Sequence, residues 1–188
     1  MKKAWIMAAA LALTPWMAQA AGGDTSVYVP QINELAQNLI SDRGAAVIQS
    51  GESNRGHVVQ NTSDQIGVVV QAGDDNLASL TQNGPAANVA VLLQSGMDNS
   101  ATVTQTAVAS QNVAVVTQTG NGNHAELSQT GSDNAAVLTQ AGNDNLMQAA
   151  QTGDNNALVW TQVGSNLAAP KVDMTGNQNL IINQIGWK

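Results

Sequence analysis

The sequence has few of the residues from which ordinary protein cores are built. Among 188 residues there is no cysteine and no phenylalanine, aromatic residues make up 3%, and charged residues make up 10%. The lack of cysteine excludes disulfide staples, which is compatible with export through an oxidising compartment in an unfolded form. Because too few large side chains remain to fill a globular core, a repeating structure that buries its backbone is the expected alternative.

Residues that could form a catalytic site are also scarce. The two histidines, His57 and His124, lie far apart in the sequence, and most carboxylates fall in turn-like segments. Spacing rules assemble no nucleophile, base and orienting group from them. We therefore expect a protein that is not an enzyme, with no cofactor and no metal site.

Basic residues are few: six Lys and Arg stand against 13 Asp and Glu, a formal net charge of −7. Lys2 and Lys3 precede an apolar run and a small-x-small sequence ending at Ala20, which predicts a secretory signal over residues 1–20. Cleavage there removes two basic residues and no acidic one, so the mature charge becomes −9. Such a chain lacks the basic patch that a nucleic-acid partner requires.

What the sequence does contain is a repeat of about 11 residues, rich in Asn, Gln, Gly and small aliphatic side chains. In its clearest copy, Gln129 to Gln140, Gly follows the first Gln by two residues and Asn follows it by five. The next Gln comes six residues after that Asn. The positions two and four after Asn are apolar, here Ala136 and Leu138, and this period of two predicts a seven-residue strand.

Strands alternating with tight turns make a flattened coil. The predicted fold is therefore all-β: a two-sheet β-solenoid with about 11 residues per strand-turn unit and two units per rung, a rung being one full turn of the coil. Strands are predicted to begin at residues 43, 54, 65, 76, 88, 99, 112, 123, 134, 145 and 156, and also at 166 and 179. The regular part spans 43–162, and an irregular end spans 163–188.

Identical amides inside such a coil lie one above another. A buried amide is costly unless it is hydrogen-bonded, and stacked Asn and Gln side chains can satisfy one another from rung to rung. The alternative, ordinary polar surface residues with a preference for turns, does not explain the strict register of Gln. The predicted stacking ladder comprises Gln49, Gln60, Gln71, Asn76, Gln82, Asn88, Gln94, Asn99, Gln105, Asn112, Gln118, Asn123, Gln129, Asn134, Gln140, Asn145, Gln151, Asn156 and Gln162.

One motif, Gln-x-Gly-x-x-Asn-x-Ala-x-x-x-Gln, recurs along this region. A clear copy comprises Gln71, Gly73, Asn76, Ala78 and Gln82. The motif resembles the curlin repeat of bacterial curli fimbriae. The resemblance implies a secreted amyloid fibre of the extracellular matrix that serves adhesion and biofilm formation. Its implied partners are other curlin subunits, the curli secretion machinery and the cell surface.

The first residues of the repeat region bear on the type of subunit. Ile32-Asn-Glu34-Leu35, followed by Ala45 to Gly51, resembles the start of the minor, nucleating curlin more than the Gly-rich start of the major one. The resemblance therefore favours a nucleator or minor component. A major fibre subunit is the alternative.

The segment 21–42 differs from the repeats. Its first part, 21–30, looks extended, and the resemblance implies that the secretion apparatus reads it. Apolar residues at helical spacing follow: Ile32, Leu35, Ala36, Leu39 and Ile40. They predict a short amphipathic helix over 31–41, which is marginal alone in water and needs an apolar partner.

The two outer faces of the predicted coil differ. One sheet carries an apolar column at its middle outward position: Ala46, Val68, Val91, Val115, Val137, Val159 and Ile182. Beside it stand Ile66, Val89, Val113, Ala135, Ala157 and Leu180. The other sheet shows Arg55, His57, Ser79, Ser100, Thr102, His124, Glu126 and Gln148. Because so large an apolar face is rarely left exposed, we expect the N-terminal helix, a second fibril or a cell-surface component to cover it; simple strand preference for Val is the alternative.

The turns at one edge of the coil always carry glycine, where a tight reversal needs a positive φ. These turn glycines are Gly51, Gly73, Gly96, Gly120, Gly142 and Gly164. Asp75, Asp98 and Asp144 lie on the same edge, where stacked like charges repel and are expected to slow assembly as gatekeepers. A calcium site is the alternative, although the Gly-Gly-x-Gly-x-Asp pattern is missing.

The irregular C-terminal end contains Pro170, which suits an edge strand. Ends of this kind act as caps or docking segments in repeat proteins. The resemblance implies surface attachment through the atypical last repeat, with Lys171, Trp187 and Lys188 as candidates. Terminal fraying is the alternative.

Two classes of function remain. The leading one is a self-assembling fibre subunit whose open first and last rungs recruit further chains by backbone pairing. The other is a ligand-binding or ice-binding solenoid, for which Thr117, Thr139 and Thr161 form a column. A single Thr column beside Val is too narrow for that function.

Overall fold

The computed structural model describes residues 44–186, which form thirteen β-strands. They are β1 (Gly44–Ser50), β2 (Arg55–Gln60), β3 (Ile66–Ala72), β4 (Leu77–Asn83), β5 (Asn88–Ser95), β6 (Ser100–Ala107), β7 (Asn112–Thr119), β8 (His124–Gly131), β9 (Ala135–Ala141), β10 (Leu146–Thr152), β11 (Ala157–Val163), β12 (Val172–Thr175) and β13 (Asn179–Ile185). The first eleven begin within one residue of the predicted positions. Inside the described range, no helix is long and apolar enough to span a membrane.

The strands build two parallel sheets between which the chain alternates. Sheet A contains the odd-numbered strands in the order β1 to β13, and sheet B contains the even-numbered strands in the order β2 to β12. Equivalent residues on successive rungs are 22 to 24 positions apart. This arrangement confirms the predicted all-β, two-sheet solenoid. The signal over 1–20 and the helix over 31–41 fall outside the described residues.

Small aliphatic side chains fill the space between the sheets. On β7, for example, Ala114 and Val116 point inward and are fully buried, as the period-two pattern predicts. The core becomes bulkier towards the C-terminal end, where Met147, Trp160 and Met174 are buried. Each buried Val, Leu or Met contributes about 1.5–3 kcal/mol by removing apolar area from water.

The turns bring successive rungs into close backbone contact. Gly142 has φ 124°, and a Cβ added to it would overlap the carbonyl oxygen of Gly164 on the next rung. Two residues later, Asp144 adopts the left-handed conformation with φ 55°. Gly, Asn and Asp are the residues that tolerate this conformation. The Gly-x-Asp sequence before a strand is therefore a backbone requirement of the turn.

The prediction that a strand begins at Asn166 is wrong in its register by one residue. Asn166 lies in the turn with φ 56°, and Leu167 takes the inward place that Asn holds on other rungs. Its backbone N–H donates to Asn145 Oδ1 at 3.0 Å. The regular strand β12 starts only at Val172, after Pro170, because proline cannot donate to the parallel ladder.

The pattern predicted for the last strand is also wrong, by one residue. Gln178 takes the place assigned to Asn179, and its backbone N–H donates to Asn156 Oδ1 at 3.3 Å. Gln184 consequently stands in register with Gln162.

This shift moves two residues from the outer face to the inner one. Ile182 pairs with Trp160 and packs against the core, and Leu180 stands in line with the inward Leu158. Ile181 replaces Ile182 in the outward column and is 36% exposed.

We expect Gly142→Ala to destabilise the solenoid by more than about 3 kcal/mol, because the new Cβ forces adjacent rungs apart. Gly176→Ala is the matched control: it also has a positive φ, 68°, but its Cβ would find no atom nearer than Asp154 O at 3.9 Å. It should lose only about 1 kcal/mol through backbone strain. Urea unfolding of the dilute monomer measures both, and equal losses would contradict the close-contact explanation.

Candidate functional site: the amide ladders

Inward glutamines form a continuous hydrogen-bonded column in each sheet. In sheet A, each Nε2 donates to the Oε1 of the next rung over 2.7–2.9 Å, along Gln49, Gln71, Gln94, Gln118, Gln140, Gln162 and Gln184. In sheet B, the same bonds of 2.7–2.9 Å run along Gln60, Gln82, Gln105, Gln129 and Gln151. In both columns the donor lies on the N-terminal side of its acceptor.

The second hydrogen of each glutamine amide ties the two sheets together. Gln118 Nε2 donates to the Ser100 carbonyl at 3.0 Å, and Gln105 Nε2 donates to the Val89 carbonyl at 3.1 Å. In each pair the donor lies in one sheet and the acceptor lies in the other. A buried glutamine in mid-stack therefore uses both of its N–H groups and its oxygen, so the burial cost of the amide is offset.

Inward asparagines form columns that run in the opposite direction. Along one edge, Asn76 Nδ2 donates to Asn54 Oδ1 at 3.0 Å, and the same bond continues through Asn99, Asn123 and Asn145 at 2.9–3.0 Å. Along the other edge it links Asn112, Asn134 and Asn156 at 2.9–3.1 Å. Here each donor lies on the C-terminal side of its acceptor.

The asparagine column is interrupted beside the longer loops. Asn88 is buried, and its Nδ2 donates to Asn83 O at 2.8 Å, but its Oδ1 has no hydrogen-bond partner. Gln65, which precedes it in the column, is buried with neither side-chain atom bonded. Asn88 is thus the one predicted ladder residue that the structure leaves out of the amide-to-amide chain within the described range.

Two residues of the ladder are absent from the prediction, although the sequence carries a signal for each. Asn54 follows Gln49 and Gly51 at the motif spacing and begins the first asparagine column. Gln184 lies 22 residues after Gln162, the usual rung length, and ends the sheet A column.

A further ladder lies on the outside of the turns and was not predicted. The backbone N–H of Glu52 donates to Asp74 Oδ1 at 2.8 Å, and that of Met97 donates to Asn121 Oδ1 at 2.9 Å. Asn121 N–H in turn donates to Asn143 Oδ1 at 2.9 Å. The polar residues that follow Gly73, Gly120 and Gly142 therefore accept a bond from the preceding rung, whereas Met97, which follows Gly96, only donates.

The aspartates Asp75, Asp98 and Asp144 are exposed and share the left-handed conformation, with φ of 55–57°. Asp75 and Asp98 occupy equivalent places on adjacent rungs. Gly122 occupies that place on the next rung, so Asp144 is separated from Asp98 by an uncharged residue. Among these three aspartates, direct stacking of like charge is thus confined to Asp75 and Asp98.

The outward face of sheet A is buried, and that of sheet B is open. The exposed fraction is 0% for Val68 and Val91, 2% for Val115, and 6% for Val137 and Val159. On sheet B, Ser79 and Thr102 are half-buried and Glu126 is exposed. The apolar outward residues pack only against residues of the same sheet within the described range.

Groups with metal or acid–base chemistry are dispersed. His57 and His124 stand on strands β2 and β8 of sheet B, three rungs apart. Within residues 44–186, no group of three or more His, Asp or Glu side chains is placed to hold a metal ion.

We expect Gln105→Leu to lower the free energy of unfolding by about 3 kcal/mol, because the bonding partners Gln82 Nε2 and Gln129 Oε1 each lose a buried hydrogen bond. Gln148→Leu is the control, since Gln148 lies outside the ladder and bonds only to Glu126 at 3.0 Å on the outer face. Its effect should stay within about 0.5 kcal/mol. Guanidinium unfolding of the monomer compares them, and a stable Gln105→Leu chain would show that the ladder contributes little.

Comparisons with known proteins bear on the ladders directly. The model of the curlin associated repeat matches residues 73–106, 108–131 and 125–153, a region in which both glutamine columns are unbroken. No curated protein and no solved structure matches the chain. The chain therefore carries curlin-associated repeats over these residues.

Proposed function

We propose that this chain is a structural subunit of an extracellular curli-type fibre and that it assembles by strand pairing at the ends of the solenoid. The observation that carries the proposal is the glutamine column of sheet A, which runs without interruption from Gln49 on β1 to Gln184 on β13. A column of this kind has no internal stopping point, because each amide needs a neighbour above and below. The terminal amides are satisfied when another chain continues the stack.

The open edges of the terminal strands supply the affinity for this assembly. Sheet A ends at β1 and β13, and sheet B ends at β2 and β12. An edge strand presents unpaired backbone N–H and C=O groups that can pair with a further strand. Backbone pairing binds the next chain, and the amide columns fix its register, because a shift by one residue turns every inward side chain outward.

Export and surface location follow from the same proposal. Residues 1–20 act as the secretory signal, 21–30 are read by the secretion machinery, and the folded fibre lies outside the cell. In this role the chain serves adhesion and biofilm formation together with other curlin subunits. We assign it the role of nucleator, or minor component, on the character of its C-terminal end described below.

The exposed turn aspartates are proposed to slow this assembly. Asp75 and Asp98 stack on adjacent rungs and repel one another, while Asp144 adds negative charge to the same edge. At the C-terminal end, Lys171 is half exposed and bonds to Asp173 over 2.8 Å. It remains the described candidate for surface attachment, whereas Trp187 and Lys188 lie outside the described residues.

Seeding tests the proposed function. The purified chain without residues 1–20 should form fibres that bind amyloid dyes and diffract at about 4.7–4.8 Å, the spacing of hydrogen-bonded strands. Added at substoichiometric amounts, it should shorten the lag of a soluble major curlin. The scrambled-sequence chain of equal composition is the control. A chain that stays monomeric and leaves the lag unchanged would refute fibre assembly and favour a monomeric binding solenoid.

A further inference from the structure

We propose that the two ends of the solenoid are unequal: the N-terminal end templates another curlin chain, whereas the C-terminal end resists continuation by a second copy. This inference rests on the proposed fibre function and deepens it. It follows from three features of the described strands: the direction of the amide columns, the number of strands in each sheet, and the residues at the C-terminal end.

The direction of the columns restricts how chains can stack. Every glutamine amide donates towards the C-terminal end, so the first glutamines, Gln49 and Gln60, present their Oε1 acceptors to a preceding chain. Two N-terminal ends placed together would bring acceptor against acceptor, without an N–H between them. Only a stack in which a C-terminal end meets an N-terminal end continues the columns.

The C-terminal end stops half-way through a rung. Sheet A has seven strands and sheet B has six, so β12 keeps an open edge opposite β13. A following copy completes this rung only by pairing its β1 with β12, which places its Gln49 next to Met174. Strand β12 is a poor template, because it has four residues and follows Pro170, both of which are features that blunt sheet edges.

Met174 interrupts the donor chain at this point. It occupies the glutamine position of sheet B, where Gln151 Nε2 lies 3.8 Å from its Sδ. A thioether accepts a weak hydrogen bond but has no N–H to pass on. Gln49 Oε1 of a following copy would therefore be buried without a donor. Leu167 interrupts the asparagine column on the rung of β12: its backbone N–H donates to Asn145, but its side chain offers a following Asn no acceptor oxygen.

The N-terminal end has neither defect. Strands β1 and β2 have seven and six residues, both hold a glutamine at the ladder position, and Asn54 begins an asparagine column. A curlin chain whose own last strand carries glutamine can dock there with both glutamine columns complete. The partner that fits is thus a repeat chain with an uninterrupted C-terminal column, and this is the asymmetry expected of a nucleator.

Met174→Gln tests this inference through a gain of function. The new amide lies within reach of Gln151 and can donate to a following Gln49, so fibre formation by the chain alone should become about tenfold faster. Asp173→Gln is the matched control: it introduces the same residue on the same strand, but at an exposed position, and it should leave the rate unchanged. Gln49→Met provides a second variant, which should weaken templating of a major curlin.

The outcomes separate the inference from the function on which it rests. If Met174→Gln and Asp173→Gln assemble alone at the wild-type rate while the wild type still seeds a major curlin, the inequality of the ends is wrong and the fibre function stands. If no chain assembles or seeds, the fibre function itself fails. Unchanged seeding by Gln49→Met would also overturn the assignment of the N-terminal end as template.

Discussion

The structure depends on one constraint, which is that every amide buried between the sheets must find its hydrogen bonds on the adjacent rungs. A mid-stack glutamine such as Gln118 donates once to Gln140 and once to the Ser100 carbonyl, and accepts from Gln94. The core beside it consists of Ala and Val, which contribute apolar burial but define position weakly. The amides therefore specify the register, because a displaced glutamine loses all three bonds in a place that water does not reach.

The turns require glycine because the amides hold successive rungs at the spacing of hydrogen-bonded strands. Because strands within each sheet are held at this separation, the turn backbones of successive rungs lie equally close together. A Cβ added to Gly73 would overlap the carbonyl oxygen of Gly96. Where a polar residue follows the glycine, it accepts a bond from the preceding rung, as Asp74 does from Glu52 N–H. The turns and the core thus repeat with the same period because both are set by the distance between rungs. A repeated sequence is the simplest way to place amides in the core and glycines in the turns at that period.

Most of the fold could be predicted from the sequence because two independent signals agree over residues 43–162. Alternation gives the strands, and Gln at a fixed distance from Gly marks where each strand ends. The C-terminal rungs could not be predicted in this way, because Asn166 and Asn179 match the repeat in residue type but do not stand at the inward position. The backbone instead counts from the turn: the fifth residue after Gln162 enters the inward place whether it is Asn or, as here, Leu167.

The amide ladders could be predicted from the sequence to a similar degree, except for the direction of their hydrogen bonds. The glutamine columns follow from period and register, but the direction of their hydrogen bonds does not, because an amide can donate either way along a column. The role of the turn aspartates was likewise hidden, since Asp98 satisfies a left-handed backbone as well as carrying charge. Sequence shows which residues stack, and coordinates are needed to show which atom of each one faces the next.

The two kinds of amide column run in opposite directions, and this limits the dipole of the stack. Aligned amide dipoles add along a column, as peptide dipoles do in a helix, and place opposite partial charges at its two ends. Here the glutamine columns donate towards the C-terminal end and the asparagine columns towards the N-terminal end. Wherever both kinds of column are present their dipoles oppose each other, so the net dipole is smaller than columns of a single direction would give. Each end nevertheless keeps its own arrangement of donors and acceptors, and this arrangement gives the stack its direction.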